Sequence, residues 1–304
     1  MHYRGPISVV GDFKFSDNLN GTDVPASNAR AYEREVLSIL HSMATNPCGA
    51  ILLNSIVRFG GSHHVDIVAY NSSPSGPYPN AASVPIDARG TVPRKREVRN
   101  TFGYGVPDPA LSDPVTEQGP RLLGTGTGSN IMLLFTPSHF SVCRHLAALR
   151  PDEVLFHELV HAYRQIRGRC SCMGMGMKAH HQYPNREELL ATVLQNTFVS
   201  AKNSGASLRD DYCFPDLNSN HQIVKTRNWN TPDSGRKQQG GALRDGHTYS
   251  ETVMLENLGA ITQLFEEERP LLTAIGRVGC TFNPFRDYKI KYGGSKPVYD
   301  TKWH

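Results

Sequence analysis

The sequence predicts an α+β fold, a small sheet early in the chain and helices after it, and three observations carry that expectation. Apolar runs of strand length occur only before residue 137. Beyond residue 150 the apolar segments have helical spacing. Between these regions lies one almost entirely apolar helical stretch, Val154 to Tyr163, whose few polar side chains are His157, Glu158 and His161.

Taken in order, Ile7–Val10 reads as a short strand closed by the turn-like Gly11-Asp12. From Asn28 to Met43, Ala31, Val36, Leu37, Leu40 and Met43 fall on one side of a helix, and a second helix continues from Ala50 to Ile56 after Pro47 and Gly49. Val65–Tyr70 is a strand. Residues 71–130 form a long segment rich in Gly, Pro, Ser and Asn, the kind that in a compact domain serves a function or is partly disordered. Ile131–Thr136, entered from Gly124-Thr125-Gly126-Thr127-Gly128 and stopped by Pro137, is a continuous apolar strand. We expect it to be an edge strand to which an extended protein substrate adds by backbone pairing; a plain buried strand is the alternative. Helices follow at 187–199, about 252–268 and 270–278. The chain is expected to be one domain, 1–304, in which 1–168 supplies the sheet and the site helix, and 169–304 is mainly helical.

Composition narrows the function classes. With 304 residues, 38% hydrophobic and 20% charged, the chain is ordinary globular protein. A net charge of +4 is weak grounds for nucleic acid, and the basic run Arg94-Lys95-Arg96-Glu97-Val98-Arg99 reads as a solvated loop, so no nucleic-acid partner is expected. No apolar run approaches 18 residues and the N-terminus lacks an apolar signal core, so neither a membrane span nor export by the general secretory route is expected. Six scattered cysteines do not make a disulfide framework and read as free thiols. Cys170-Ser171-Cys172 has one residue too few between its thiols for a zinc knuckle.

The chemistry sits in His157-Glu158-Leu159-Val160-His161, an H-E-x-x-H motif. Helical positions four apart are about 40° apart around the axis, so both imidazoles leave one face and reach one Zn²⁺. Glu158 is turned by about 100° from His157, which sets its carboxylate beside the ion as a general base. Two surface histidines on an amphipathic helix would be the plain alternative. The apolar residues around them argue for burial, and buried His and Glu without partners are costly unless a metal removes the cost.

A catalytic zinc needs a third protein ligand. The residues after His161 lack a closely following third histidine. The next candidates open a helix at Asn185-Arg186-Glu187-Glu188, with Ala191 and Thr192 allowing close packing against the first. That packing favours Glu188. Asn185 and Glu188 also fit a capping box, in which case Glu187 is the ligand. His180, His181, His63 and His64 are weaker rivals.

His157–Arg164, followed by Glu187-Glu188 opening a helix that runs to Gln195-Asn196, resembles the NleD-like effector metallopeptidases that pathogenic bacteria inject into host cells. The start Ile7-x-x-x-Gly11-Asp12, the stretch Pro47-x-Gly49-Ala50-x-Leu52-Leu53 and Phe135-Thr136-Pro137 are similar to that group too, so the resemblance spans roughly residues 7 to 200. It implies a zincin-like fold, one Zn²⁺ per chain, endopeptidase activity on host signalling proteins, and translocation into a target cell without a classical signal peptide. Residues 71–130 and the chain after Ala201 lie outside it. The expected machinery is therefore His157, His161 and Glu188 on zinc, Glu158 as base, a carboxylate or carbonyl orienting each histidine, and an oxyanion stabiliser among Tyr212, His221, His247 and Tyr249. The rivals are an amidase acting on another amide, such as a cell-wall cross-link, and a binding protein whose metal is structural or absent.

Overall fold

The computed structural model describes residues 1–16, 21–71, 81–86, 128–141, 149–170, 183, 185–203, 208–209 and 247–293. The basic run at 94–99, Cys143, Cys172, Cys213, His180, His181, Tyr212 and His221 lie outside the described residues.

The described chain is α+β, with a small N-terminal sheet and helices packed on it. The strands are β1 (His2–Arg4), β2 (Ile7–Ser16), β3 (Gly21–Asp23), β4 (Val65–Asn71), β5 (Ala82–Ile86) and β6 (Asn130–Leu134). They lie in the order β1-β2-β4-β6-β5, with β3 paired to the far end of β2. The pairs β2–β4 and β4–β6 are parallel, whereas β1 and β5 join antiparallel.

Two expectations are corrected here. Gly11-Asp12 does not end the first strand: β2 runs on to Ser16 and absorbs the extra residues as a bulge, its pairing with β4 jumping from Val10↔Val68 to Lys14↔Ala69. Gly11 is needed there because a Cβ would sit 2.4 Å from the Ala29 carbonyl oxygen of the first helix. Nor is Ile131–Thr136 at the edge. β6 is paired on both sides, and among the described residues the end strand on that side is β5, a strand inside the segment that the sequence offers as loop.

The helices are α1 (Ala26–Thr45), α2 (Pro47–Phe59), α3 (Pro137–Phe140), α4 (Pro151–Gln165), α5 (Arg186–Lys202), α6 (Tyr249–Glu256), α7 (Leu258–Glu267), α8 (Arg269–Ile275) and α9 (Pro284–Tyr292). The expected helix at 252–268 is broken into α6 and α7 at Asn257, a buried residue whose amide donates to the Val253 carbonyl. α1 and α2 are separated by Asn46, whose carboxamide caps α2 by accepting from Cys48 N at 2.8 Å.

One face of the sheet (Ile7, Val9, Val65, Ile67, Ile131, Leu133) joins the helices in a single apolar core. Into it pack Leu155, Phe156, Leu159 and Val160 of α4 and Leu189, Leu190, Val193 and Leu194 of α5. Val68, Tyr70, Val84, Met132 and Leu134 form a smaller cluster on the opposite face. The alternation Val65-in, Val68-out, Ile131-in, Met132-out is the strand period at work. No single described helix is long and apolar enough to cross a membrane; α1 and α2 reach that composition only together, across a 110° bend.

Candidate metal centre

α4 starts at Pro151, with Asp152 and Glu153 in its first turn and the Arg150 N–H donating to Glu153 Oε2 at 3.1 Å. Pro at the first position and acidic residues near the N-terminal dipole both favour starting a helix there. α5 starts at Arg186 under an Asn185 cap, whose side-chain oxygen accepts from Glu188 N at 3.0 Å. The two helices pack together through the apolar residues named above, which sets the polar residues at their contact face to face.

On that contact three ligand atoms converge. His157 Nε2 and His161 Nε2 are 3.2 Å apart, and Glu188 Oε2 lies 3.3 Å from the first and 3.5 Å from the second. An ion bound tetrahedrally at about 2.0–2.1 Å holds its ligand atoms ~3.3 Å from one another, so the triangle has the size of one face of such a site. The atoms are poorly satisfied by each other. Glu188 Oε2 is buried without a hydrogen-bond partner among the described residues, close though it is to two ring nitrogens. Converging lone pairs of this kind fit a cation at their common point. His157 is buried, whereas His161 and Glu188 keep a partly exposed side, so the cluster opens on one flank.

The electrostatics agree with the geometry. Burial alone would push the His161 imidazole towards neutrality. The Glu188 carboxylate beside it, aided by Glu158 and Glu187, overrides this and raises its pKa to about 9. For Glu188, burial opposes ionisation, but His161 and His157 hold its carboxyl well below the usual range. Burial also pushes Glu158 up. The two imidazoles pull it back, Glu188 pushes it further up, and the nearby Ser83 backbone favours the anion.

The structure thus brings His157, His161 and Glu188 together and sets Glu158 beside them. Glu187, one residue from Glu188, points the other way. Its carboxylate accepts from Arg164 Nη2 at 2.7 Å and Nε at 3.1 Å. The capping box is only half formed: Asn185 caps the Glu188 N–H, while the Glu188 side chain goes to the histidines.

The remaining candidates fare differently. His64 pairs with Asp66 at 3.3 Å, away from the cluster. His247 is a partly exposed residue 3.9 Å from Glu251. Tyr249 is a core residue whose hydroxyl donates to the Arg209 carbonyl at 3.0 Å and whose ring meets Phe282, so its hydroxyl serves the packing of α5 against the C-terminal helices. The expected orienting partner of His157 is missing: its Nδ1 finds no hydrogen-bond partner among the described residues.

Ser83 and Gln165 escape sequence inspection. Ser83 sits on β5, and Gln165 ends α4, seven residues (two turns) after Glu158 and on the same side. Only that helical phase pointed to Gln165, and nothing pointed to Ser83.

No protein-family model matches the chain, and no curated protein matches its sequence.

Proposed function

We propose that the protein is a zinc-dependent endopeptidase in which His157, His161 and Glu188 hold one Zn²⁺ and Glu158 is the general base. The observation that carries this is the ligand triangle, three donor atoms 3.2–3.5 Å apart with an otherwise unsatisfied carboxylate oxygen. The set of two imidazoles and one carboxylate, open on one flank, suits a hydrolytic rather than a fully enclosed metal.

A Zn²⁺ held there supplies a Lewis acid that polarises the scissile carbonyl and makes a nearby water more acidic. The Glu158 carboxylate takes the proton of the attacking water and delivers it to the departing amine. Burial raises its basicity. An extended protein substrate lies along β5, the strand that crosses this helix. The resemblance to NleD-like effectors supports a substrate among signalling proteins of a target cell reached by translocation.

The test is Glu158→Gln. Zinc stays bound, because the ligands are untouched, and hydrolysis falls by at least ~10²-fold. Profiling of new protein termini in a cell lysate, wild type against Glu158→Gln, identifies the cleavage sites. A variant that cleaves as well as the wild type would falsify the mechanism.

A further inference from the structure

We propose that Arg164 is a positioning residue of the metal centre: it captures Glu187 and so leaves Glu188 as the carboxylate turned to His157 and His161. The inference rests on the metal ligation proposed above and assigns a role to a residue that does not touch the ligand triangle.

Two glutamates lie side by side in the first turn of α5, and successive helical positions are about 100° apart around the axis. A roll of that turn by one position would exchange their places. Either carboxylate has the chemistry to bind zinc, so the choice is made by what each one meets on α4. There the two helices are joined by two neighbouring ties. The first is the triangle itself, with Glu188 Oε2 at 3.3 Å from His157 Nε2 and 3.5 Å from His161 Nε2. The second begins three residues beyond His161, about one turn along α4. Arg164 holds Glu187 there, with Nη2 and Nε on Oε1 at 2.7 and 3.1 Å and Nε on Oε2 at 3.2 Å. Each partner of the second tie is thus a near neighbour, along its own helix, of a partner of the first. A carboxylate with both oxygens engaged by a planar fork keeps one orientation, whereas an ammonium in that place would hold it at a point.

The fork is itself held from behind. Arg164 is fully buried, its Nη1 donates to Glu268 Oε1 at 2.9 Å, and its Nη2 also donates to Glu267 Oε2 at 2.9 Å. Glu268 is fully buried too, and its other oxygen accepts from the Tyr163 hydroxyl at 3.0 Å and from Arg167. Glu267 ends α7 and Glu268 caps α8, so the junction of those helices sets the guanidinium before it meets α5. Turning Glu187 towards the histidines would strip Arg164 of its contacts to that carboxylate inside the protein, and a buried cation that loses a partner is costly. The arrangement with Glu188 inward is selected in this way before any ion arrives. Asn185 fixes where α5 starts, by accepting from Glu188 N at 3.0 Å; Arg164 fixes how that turn is rolled.

The experiment uses the full chain and reads metal binding rather than turnover. Zinc Kd is measured by competition against a chromophoric chelator, and the visible absorption of the cobalt-loaded protein reports the geometry of the site. Arg164→Lys keeps the charge and loses the fork. Glu187→Ala loses the grip but leaves Arg164 on Glu267 and Glu268, a milder change that decides the matter if Arg164→Lys does not fold. Glu187→Gln is the control: it removes the same charge as Glu187→Ala, yet keeps at Oε1 the acceptor that takes both Nη2 and Nε. The expected result is zinc binding weaker by ~10–100-fold in Arg164→Lys and Glu187→Ala, with an altered cobalt spectrum, and wild-type affinity and spectrum in Glu187→Gln. All are measured on folded protein well below its Tm. Wild-type zinc affinity in Glu187→Ala overturns the proposal and leaves Arg164 a stabilising residue alone. Equal losses in Glu187→Ala and Glu187→Gln overturn it too, since the effect would then be one of charge. A wild-type protein that binds neither metal overturns the ligand triangle and this proposal with it. One that binds zinc but leaves casein whole counts against the peptidase function only, and the affinities of the variants then decide on Arg164 by themselves.

Discussion

The two sides of the α4–α5 contact hold polar groups in opposite states. On one side stand His157, His161 and Glu188, crowded within hydrogen-bonding distance yet leaving Glu188 Oε2 and His157 Nδ1 without hydrogen bonds among the described residues. On the other stands Arg164, fully buried, with Nε and Nη2 on Glu187, Nη2 also on Glu267 at 2.9 Å and Nη1 on Glu268 at 2.9 Å. Arg167 and Tyr163 also bond Glu268, and Arg186 reaches Glu267. Three guanidinium groups thus meet three carboxylates. Buried charges paired with opposite charges, as Arg164 is with Glu187 and Glu268, are architecture; the first cluster instead gathers three potential ligand atoms around a common point. The difference also shows what the C-terminal helices do for the site: through Glu267 and Glu268 they grip the back of α4 and α5, whose front faces carry the ligand triangle.

The largest expected effect tests the closed side. Arg164→Leu removes the centre of the network and strands Glu187 and Glu268 in the interior. Breaking one partner out of a buried charge cluster costs about 3–5 kcal/mol, read as a lower urea midpoint. A loss under ~1 kcal/mol, the range of exposed ion pairs, would mean that the network is solvated and that the contrast between the two sides is false.

On the function proposed above, the other side answers to metal. Zinc at about one hundred times its Kd stabilises the folded protein by ~2.7 kcal/mol, seen as a rise in Tm. Glu188→Ala loses most of that increment. Glu187→Gln starts from a lower baseline, since Arg164 loses its partner, yet keeps the increment. The reverse pattern would hand the ligand role to Glu187.

The increment also depends on pH, with a sign set by His161. Its pKa is raised to about 9 in the metal-free protein, from 6.5. A raised pKa gives stability that is fully present below the unfolded value and lost as pH rises through about 9. Metal binding needs the neutral ring, so below that pH each ion bound expels this proton and affinity climbs by up to about tenfold per pH unit. The zinc increment therefore grows from pH 6.5 towards 9, as the metal-free protein weakens and the bound form strengthens. A zinc-binding isotherm that is flat over this range removes Glu188 from contact with His161.

How much of this is legible in the chain depends on how far apart the interacting residues lie. His157, Glu158 and His161 are readable because helical spacing alone puts them on one face. α1, α2, β4 and α5 follow from apolar periodicity over lengths that leave little ambiguity. The choice between Glu187 and Glu188 is readable only in part: packing favours Glu188, and the capping pattern keeps Glu187 as the rival. Both lie in the first turn of α5, and what separates them is Arg164, tied in turn to Glu268 more than a hundred residues further on. The edge strand is hidden for a different reason. Ala82–Ile86 is five residues long, contains a proline and sits in a Gly/Pro-rich segment, so its local preferences argue for loop and only pairing with β6 makes it a strand. The misplaced edge at Ile131–Thr136 follows from the same fact, since a continuous apolar run signals a strand buried on both faces.

The smallest effect joins the two sides at one residue. Asn185 Oδ1 accepts the N–H of Glu188, so the cap of α5 and the proposed third ligand share a peptide unit. Asn185→Ala costs about 1 kcal/mol as a lost helix cap. If capping were all it did, the loss would be the same with and without zinc. Because the cap holds the first turn of α5, whose Glu188 side chain completes the triangle, fraying of that turn moves a ligand as well as a helix end. The expected loss is therefore larger in the zinc-loaded protein than in the zinc-free one, by a few tenths of a kcal/mol, whereas Asn185→Asp, which keeps an acceptor at the cap and adds favourable charge near the helix N-terminus, restores both. Equal losses in the two states would confine Asn185 to the helix and leave the aim of Glu188 to the grip of Arg164 on Glu187 alone.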